Sequence, residues 1–303
     1  MPDRTDNWLT TLRNTEYRGK LEIDRPLAPL TTLRVGGAAE LLATPATIED
    51  LAILLSWARD EAVPWKVLGN GSNLVVRDRG VRGLVIRVRR VLDTISIDGN
   101  DVIAGGGASF PALAKRSAAA GLAGLEFAAG IPGTLGGAVT MNAGWHEFEI
   151  GNHVVEVDWV DGNGRRRQVP HDECGFRYRG SLFRDNDGIV VGARLKLADG
   201  DPDEIASRLE RFAGSRKENQ PTELPSCGSV FLKPDGDYAG RLIEEAGLKE
   251  YRIGDAEVSA LHANFFVNRG AATAADVLRL VDHVETVVKE KFGVTLVREF
   301  ELW

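Results

Sequence analysis

Residues 130–144 read Gly-Ile-Pro-Gly-Thr-Leu-Gly-Gly-Ala-Val-Thr-Met-Asn-Ala-Gly. Gly130, Gly133, Gly136 and Gly137 leave the main chain almost bare of side chains. Glycine loses more freedom on folding than any other residue, so such a cluster marks a place where the backbone must approach something closely. Main-chain N–H groups brought up in this way suit an anion, most often a diphosphate. A second bare segment, Val67-Leu-Gly-Asn-Gly-Ser-Asn-Leu74, lies upstream. Two such loops predict a nucleotide cofactor held from two sides.

The upstream loop decides which fold holds it. Leu41–Ala43 reads as a strand. Thr47-Ile-Glu-Asp50 is a capping-box-like start, and Leu51, Leu54, Leu55 and Ala58 form one face of a helix. Val63–Leu68 is then a second strand running into Gly69. This opening is βαβ, and Gly69 and Gly71 supply the first two glycines of G-x-G-x-x-G. The third position holds Leu74, however, and Val75-Val76 and Val81–Val88 read as strands. A dinucleotide fingerprint must open a helix, so the Rossmann reading is rejected. No Walker loop is present.

Further along, Val102–Ala104 is a short strand. Gly105-Gly-Gly107 leads into a helix with Pro111 near its start and Gly121 past its end. Residues 153–160 and 189–197 read as strands. From about 203 helices dominate. One carries Ile205, Leu209 and Phe212 and ends near Lys217; the next is Ala239–Ala246, stopped by Gly247. The last is Thr273–Phe292, with Thr273 as N-cap, Val277, Leu280, Val281, Val284 and Val288 on one face, and Gly293 at its end. Val294–Leu302 alternates like a strand.

Composition narrows the function classes. The chain has 303 residues, 43% hydrophobic and 27% charged, with a formal net charge of −7. That describes a soluble protein of two or three domains, and nothing in it favours nucleic acid or a membrane surface. Arg165-Arg166-Arg167 follows Asp161-Gly-Asn-Gly164 and reads as a solvated strand edge beyond a hairpin turn. Cys174 and Cys227 make neither a metal spacing nor a disulfide framework, which fits a reducing cytoplasm. The start, Met-Pro-Asp-Arg-Thr-Asp-Asn, is no signal peptide, and no apolar run approaches the roughly 18 residues of a membrane span. His146-Glu147 meets Ile150 where H-E-x-x-H needs histidine, so no metal site is expected.

Seven segments, in order, resemble one family. They are Pro26-Leu-Ala-Pro-Leu-Thr-Thr-Leu-Arg-Val-Gly-Gly37, Leu68–Leu74, Gly130–Gly144, Tyr178-Arg179-Gly-Ser181-Leu-Phe183, Pro225-Ser-Cys-Gly-Ser229-Val-Phe231, Ser259-Ala-Leu-His262-Ala-Asn264-Phe and Gly293-Val-Thr-Leu-Val-Arg-Glu299. Together they resemble the UDP-N-acetylenolpyruvoylglucosamine reductases, flavoenzymes of bacterial cell-wall precursor synthesis. The resemblance implies an α+β chain. An FAD-binding fold of the vanillyl-alcohol-oxidase (PCMH) type would occupy 1–67 and 68–200 as two subdomains. An α+β substrate-binding domain would occupy 201–293, with the strand 294–303 joining the first subdomain. It also implies FAD and NADPH, with hydride passing to flavin N5 and on to the β-carbon of UDP-N-acetylglucosamine enolpyruvate. Leu68, Gly69, Asn70, Gly71, Ser72, Asn73 and Leu74 would hold FAD from one side. Gly130, Ile131, Pro132, Gly133, Thr134, Gly136, Gly137, Ala138 and Val139 would hold it from the other. Only about fifty residues separate Arg179 from Ser229, which implies the shorter subtype without an extra tyrosine loop. A cytoplasmic monomer is expected.

The chemistry assigns roles within that resemblance. Hydride addition at the β-carbon pushes charge onto the α-carbon and its carboxylate, so the site needs a charge stabiliser and a proton donor. Arg179 can hold a carboxylate through two hydrogen bonds. Ser229, a weak acid, serves as donor because a carbanion-like intermediate is a strong base. Thr295, Val297, Glu299 and Glu301 share one face; the alternation does not choose between the two acids, and the family pattern selects Glu299 as the third catalytic residue. Tyr178, Lys217, Lys233 and His262 are candidates for the substrate, Lys233 less directly because Phe231-Leu-Lys233-Pro234 departs from the usual Phe-Lys-Asn/Arg-Pro. Cys227 reads as structural. Two other readings remain open: an FAD oxidase of the same superfamily acting on a small alcohol or hydroxy acid, and a non-catalytic nucleotide-sugar-binding protein.

Overall fold

The computed structural model describes residues 4–88 and 92–303, so the first three residues of the chain's acidic start lie outside it. The chain divides into two compact units. The first comprises Met1–Ile23, Glu40–Asn70 and Arg82–Ser215; the second comprises Asp24–Ala39, Gly71–Val81 and Arg216–Trp303. These limits fall elsewhere than the division at 67/68 and 200/201 expected from sequence. The chain changes unit inside the upstream glycine loop, between Asn70 and Gly71.

The first unit is built on two sheets. In one, the strands Lys20–Pro26, Ala38–Thr44, Val81–Arg87 and Trp65–Leu68 lie in that order, the last two parallel. The helix Ile48–Asp60 precedes Trp65–Leu68, and Thr47 caps it by accepting the Asp50 N–H at 3.2 Å. The other sheet is antiparallel, ordered Arg166–Pro170, Val154–Asp161, Gly188–Lys196, Asp101–Gly105 and Ile95–Asp98. Successive residues of a strand point to opposite faces, and the register shift between the pairs Asp158–Gly192 and Trp159–Val190 reverses that alternation partway along Gly188–Lys196, so this sheet serves two cores. Val160, Ile189 and Val191 pack with Leu41, Leu51, Leu84 and Ile86. Val102, Val157, Ala193 and Leu195 pack with Phe110, Leu113, Phe127, Leu135 and Val139. Arg166 sits on the edge strand as expected, paired with Asp158 at 2.7 Å.

The strand Trp65–Leu68 runs into the Gly69 loop, and the strand Leu74–Val75 follows it. No helix opens there, as the rejection of a dinucleotide fingerprint requires.

In the second unit the antiparallel strands Ser226–Ser229, Phe265–Asn268, Ala256–Val258 and Arg252–Ile253 form a sheet in that order. Phe231, Val258 and Phe266 pack with Leu242 and Ile243 of the helix Ala239–Glu245. Val277, Leu280, Val281, Val284 and Val288 of the helix Ala274–Phe292 complete that core. Thr273 and Asp276 form a full capping box on this long helix, and Gly293, at φ 72°, ends it.

The expected strand Val294–Leu302 is corrected. Only Glu301–Leu302 is a strand, paired parallel with Leu74–Val75, while Arg298 makes an isolated bridge to Phe231. The segment alternates as a strand does, but it changes partners partway and so never forms one continuous ladder.

Candidate active site

In the first unit the two glycine loops meet. A Cβ on Gly69 would lie 2.8 Å from the Thr134 hydroxyl. Thr134 is the N-cap of the helix Leu135–Thr140, and its Oγ1 accepts the Gly137 N–H at 3.3 Å. The N–H groups of Leu135 and Gly136 are taken by the carbonyls of Ala108 and Gly106, both at 2.8 Å. Gly136 is thereby pressed so close to the 105–107 segment that a Cβ would sit 3.0 Å from Gly106 O. Gly137 is different: it is exposed, and a Cβ there would meet only the Thr134 hydroxyl, at 3.5 Å. Among the described residues nothing accepts the N–H of Gly69 or Asn70. Open main-chain donors beside an exposed glycine at a helix start form a face suited to an anion. Gly130 serves packing, since a Cβ there would run into the Trp145 ring.

Tyr178 and Arg179 form the tip of a tight turn. The main chains of Arg177 and Gly180 exchange both hydrogen bonds at 3.0 Å, and Arg179 takes φ 53°, a left-handed conformation that costs a non-glycine residue about 1 kcal/mol. The turn is anchored to the end of the Leu135–Thr140 helix. Asn142 Nδ2 donates to Arg177 O at 3.1 Å, and Ser181 Oγ donates to Thr140 O at 2.8 Å. Arg179 is half-buried, with its guanidinium 5.2 Å from the Tyr178 ring centre.

In the second unit the remainder of the upstream loop meets the serine motif. Gly228, at φ 83°, sits in a bulge of the strand Ser226–Ser229 and would place a Cβ 3.7 Å from Ser72 O. Ser229 is half-buried at the strand's end. Glu299 donates its main-chain N–H to Val230 O at 2.8 Å. Asn73 Nδ2 donates to Glu299 O at 3.2 Å. Burial pushes the Cys227 thiol up to about 12, with the nearby Glu299 charge adding to the shift. Glu299 thus lies beside the serine motif, whereas Glu301 is exposed.

Of the substrate candidates, Lys217, Lys233 and His262 belong to the second unit. Lys217 lines a groove of about 330 Å³ with Gln220, Leu261 and Arg269. Lys233 is exposed, with Nζ 4.4 Å from the Tyr238 ring centre. His262 is half-buried, its Nδ1 accepts the Asn264 N–H at 3.2 Å, and burial holds it below the ordinary histidine range.

Three supporting residues escaped the sequence reading: Asn142, Thr32 and Asn264. Thr32 Oγ1 donates to Ser226 O at 2.7 Å while its N–H donates to Gly71 O at 3.1 Å. Asn264 binds both main-chain groups of Phe231, at 3.0 and 2.8 Å. All three stood inside quoted motifs, but only a partner far along the chain gives each a role.

Comparison with known proteins decides the family. A protein from Moorella thermoacetica named UDP-N-acetylenolpyruvoylglucosamine reductase is 46% identical, covering 97% of this chain and 98% of that one. A Symbiobacterium thermophilum protein named UDP-N-acetylenolpyruvoylglucosamine reductase 2 is 44% identical over 94% and 92%. The chain belongs to the UDP-N-acetylenolpyruvoylglucosamine reductase family. The family's C-terminal domain matches residues 220–303, and an FAD binding domain matches 39–169. The crystal structure of the reductase MurB from Thermus caldophilus superposes with TM-score 0.80 at 40% identity, covering 95% of this chain and 99% of that one. The fold is therefore the FAD-binding type followed by the reductase C-terminal domain, and the protein is an FAD-dependent oxidoreductase of peptidoglycan precursor synthesis. The residues fit the cofactor: the Gly69–Asn70 donors and the exposed Gly137 offer the bare, donor-rich surface that a diphosphate requires. Among the described residues no helix is long and apolar enough to cross a membrane, and no His, Cys, Asp and Glu group is arranged to hold a metal ion.

Proposed function

We propose that this reductase uses NADPH to convert UDP-N-acetylglucosamine enolpyruvate to UDP-N-acetylmuramate, as a cytoplasmic monomer. FAD, when bound, would supply the hydride chemistry between NADPH and the enolpyruvyl β-carbon. The Gly69 and Asn70 N–H groups would hold its diphosphate, with the exposed Gly137 leaving room beside them. Arg179 binds the substrate carboxylate and stabilises the charge that grows there during hydride transfer. Ser229 donates its hydroxyl proton to the α-carbon, and Glu299 assists that protonation or orients the enolate. Lys217, Lys233 and His262 serve the UDP portion, and Tyr178 lies against the substrate beside Arg179.

The observation carrying this reading is the gathering of Ser229, Glu299 and the Ser72–Asn73 end of the flavin loop in one unit. The test is anaerobic reduction with NADPH followed by addition of UDP-N-acetylglucosamine enolpyruvate. Rapid reoxidation of the flavin supports the reading; persistent reduced flavin sinks it. Ser229→Ala is expected to spare reduction by NADPH and cripple reoxidation by substrate, and equal loss of both half-reactions would make Ser229 structural.

A further inference from the structure

Glu299 stands where its segment of chain changes partners. Before it, Leu232 donates its N–H to Val297 O at 2.8 Å, Phe231 bridges Arg298, and Glu299 itself donates to Val230 O at 2.8 Å. These contacts tie residues 297–299 to the stretch that follows Ser229. After it, Glu301 donates to Asn73 O at 2.9 Å, Trp303 donates to Val75 O at 3.0 Å, and Arg77 donates to Trp303 O at 2.9 Å. These tie residues 301–303 to the stretch that follows the flavin loop. The Glu299 carbonyl falls at the junction of the two ladders, and its donor there is a side chain, Asn73 Nδ2 at 3.2 Å. Asn73 therefore holds this segment twice, through its own carbonyl at Glu301 and through its amide at Glu299.

We propose that Asn73 is a positioning residue for the reaction: its side-chain amide fixes the peptide plane that follows Glu299 and thereby aims the Glu299 carboxylate. The carbonyl of this peptide plane faces neither ladder directly, so the Asn73 amide fixes ψ at Glu299, and a residue's backbone angles limit which rotamers its side chain can take. An amide supplies the needed donor at neutral charge. Aspartate in its place has the same shape but, when ionised, only accepts. The inference rests on the reading of Glu299 as a catalytic group and assigns Asn73 a task apart from cofactor contact.

A double-mutant cycle tests it, with rates of flavin reoxidation by UDP-N-acetylglucosamine enolpyruvate measured per bound flavin. Asn73→Ala and the isosteric Asn73→Asp are each expected to slow reoxidation about tenfold in the native background, and less than about twofold when Glu299→Gln is already present. Such non-additivity shows that Asn73 acts through Glu299; a general loosening of the fold would slow both backgrounds alike. Equal slowing in both, or a defect confined to flavin content, overturns the role of Asn73 while leaving Glu299 catalytic. Reoxidation at the native rate in Glu299→Gln alone overturns the catalytic reading of Glu299, and the role of Asn73 with it.

Discussion

Gly69 and Thr134, from the two glycine loops, approach so closely that a single methyl group on Gly69 would overlap the threonine hydroxyl, at 2.8 Å. Gly69→Ala is therefore expected to push the loops apart at a cost of about 1–3 kcal/mol. The measured sign is a purified protein with reduced flavin-to-protein ratio and a lower melting temperature.

Gly137 predicts the opposite behaviour for the protein without flavin. It is exposed within a helix, and an added Cβ meets nothing nearer than 3.5 Å. Gly137→Ala should stabilise the apoprotein by up to about 1 kcal/mol through helix propensity. It should also weaken FAD binding by placing a methyl group on the face offered to the diphosphate. Calorimetry of the apoprotein and flavin titration together check the pair of effects; unchanged flavin affinity would move the diphosphate elsewhere.

Arg179 should resist even its closest replacement. Arg179→Lys keeps the charge but loses the fork that grips a carboxylate. Reoxidation by the enolpyruvyl substrate is expected to fall about 100-fold, roughly the cost of losing a strong charge-assisted contact in the transition state. Reduction by NADPH should change little. Stopped-flow measurement of the two half-reactions separates these outcomes.

The two thiols predict an alkaline weakness. Burial raises both Cys174 and Cys227 from an ordinary 9 to about 12. A group raised on folding contributes stability that is intact below its unfolded pKa and is lost as pH climbs toward the folded one. Stability in urea should therefore decline between pH 9 and about 12, and less steeply in Cys174→Ala and Cys227→Ala. At pH 8 both thiols should react with iodoacetamide only after unfolding.

Thr273 caps the helix Ala274–Phe292 through a complete box with Asp276. Thr273→Ala is expected to cost about 1 kcal/mol, read as a lower urea midpoint without a changed slope.

Local signals carried most of the fold. Thr47 and Thr273 announced helix starts because a cap is a short-range contact, and both helices begin where those residues stand. Gly293 marked a helix end because few other residues accept its left-handed φ. The segment 294–302 misled because alternation reports only that a chain is extended, never which strand it joins or whether it changes partners. In the candidate site, the motifs brought Ser229 and Glu299 forward, and the structure places Glu299 beside the serine motif. The duties of Thr32, Asn73 and Asn264 were not legible in sequence, because each rests on hydrogen bonds to residues far along the chain.

The contact between Asn73 and Glu299 spans 226 positions of sequence. During synthesis the upstream glycine loop leaves the ribosome long before the segment that braces it exists. With translation adding about 5–20 residues per second, that loop waits on the order of ten seconds or more without its brace. A nascent chain of this protein should gain its flavin-binding competence late, near the end of translation, rather than when the FAD-binding sequence itself is complete.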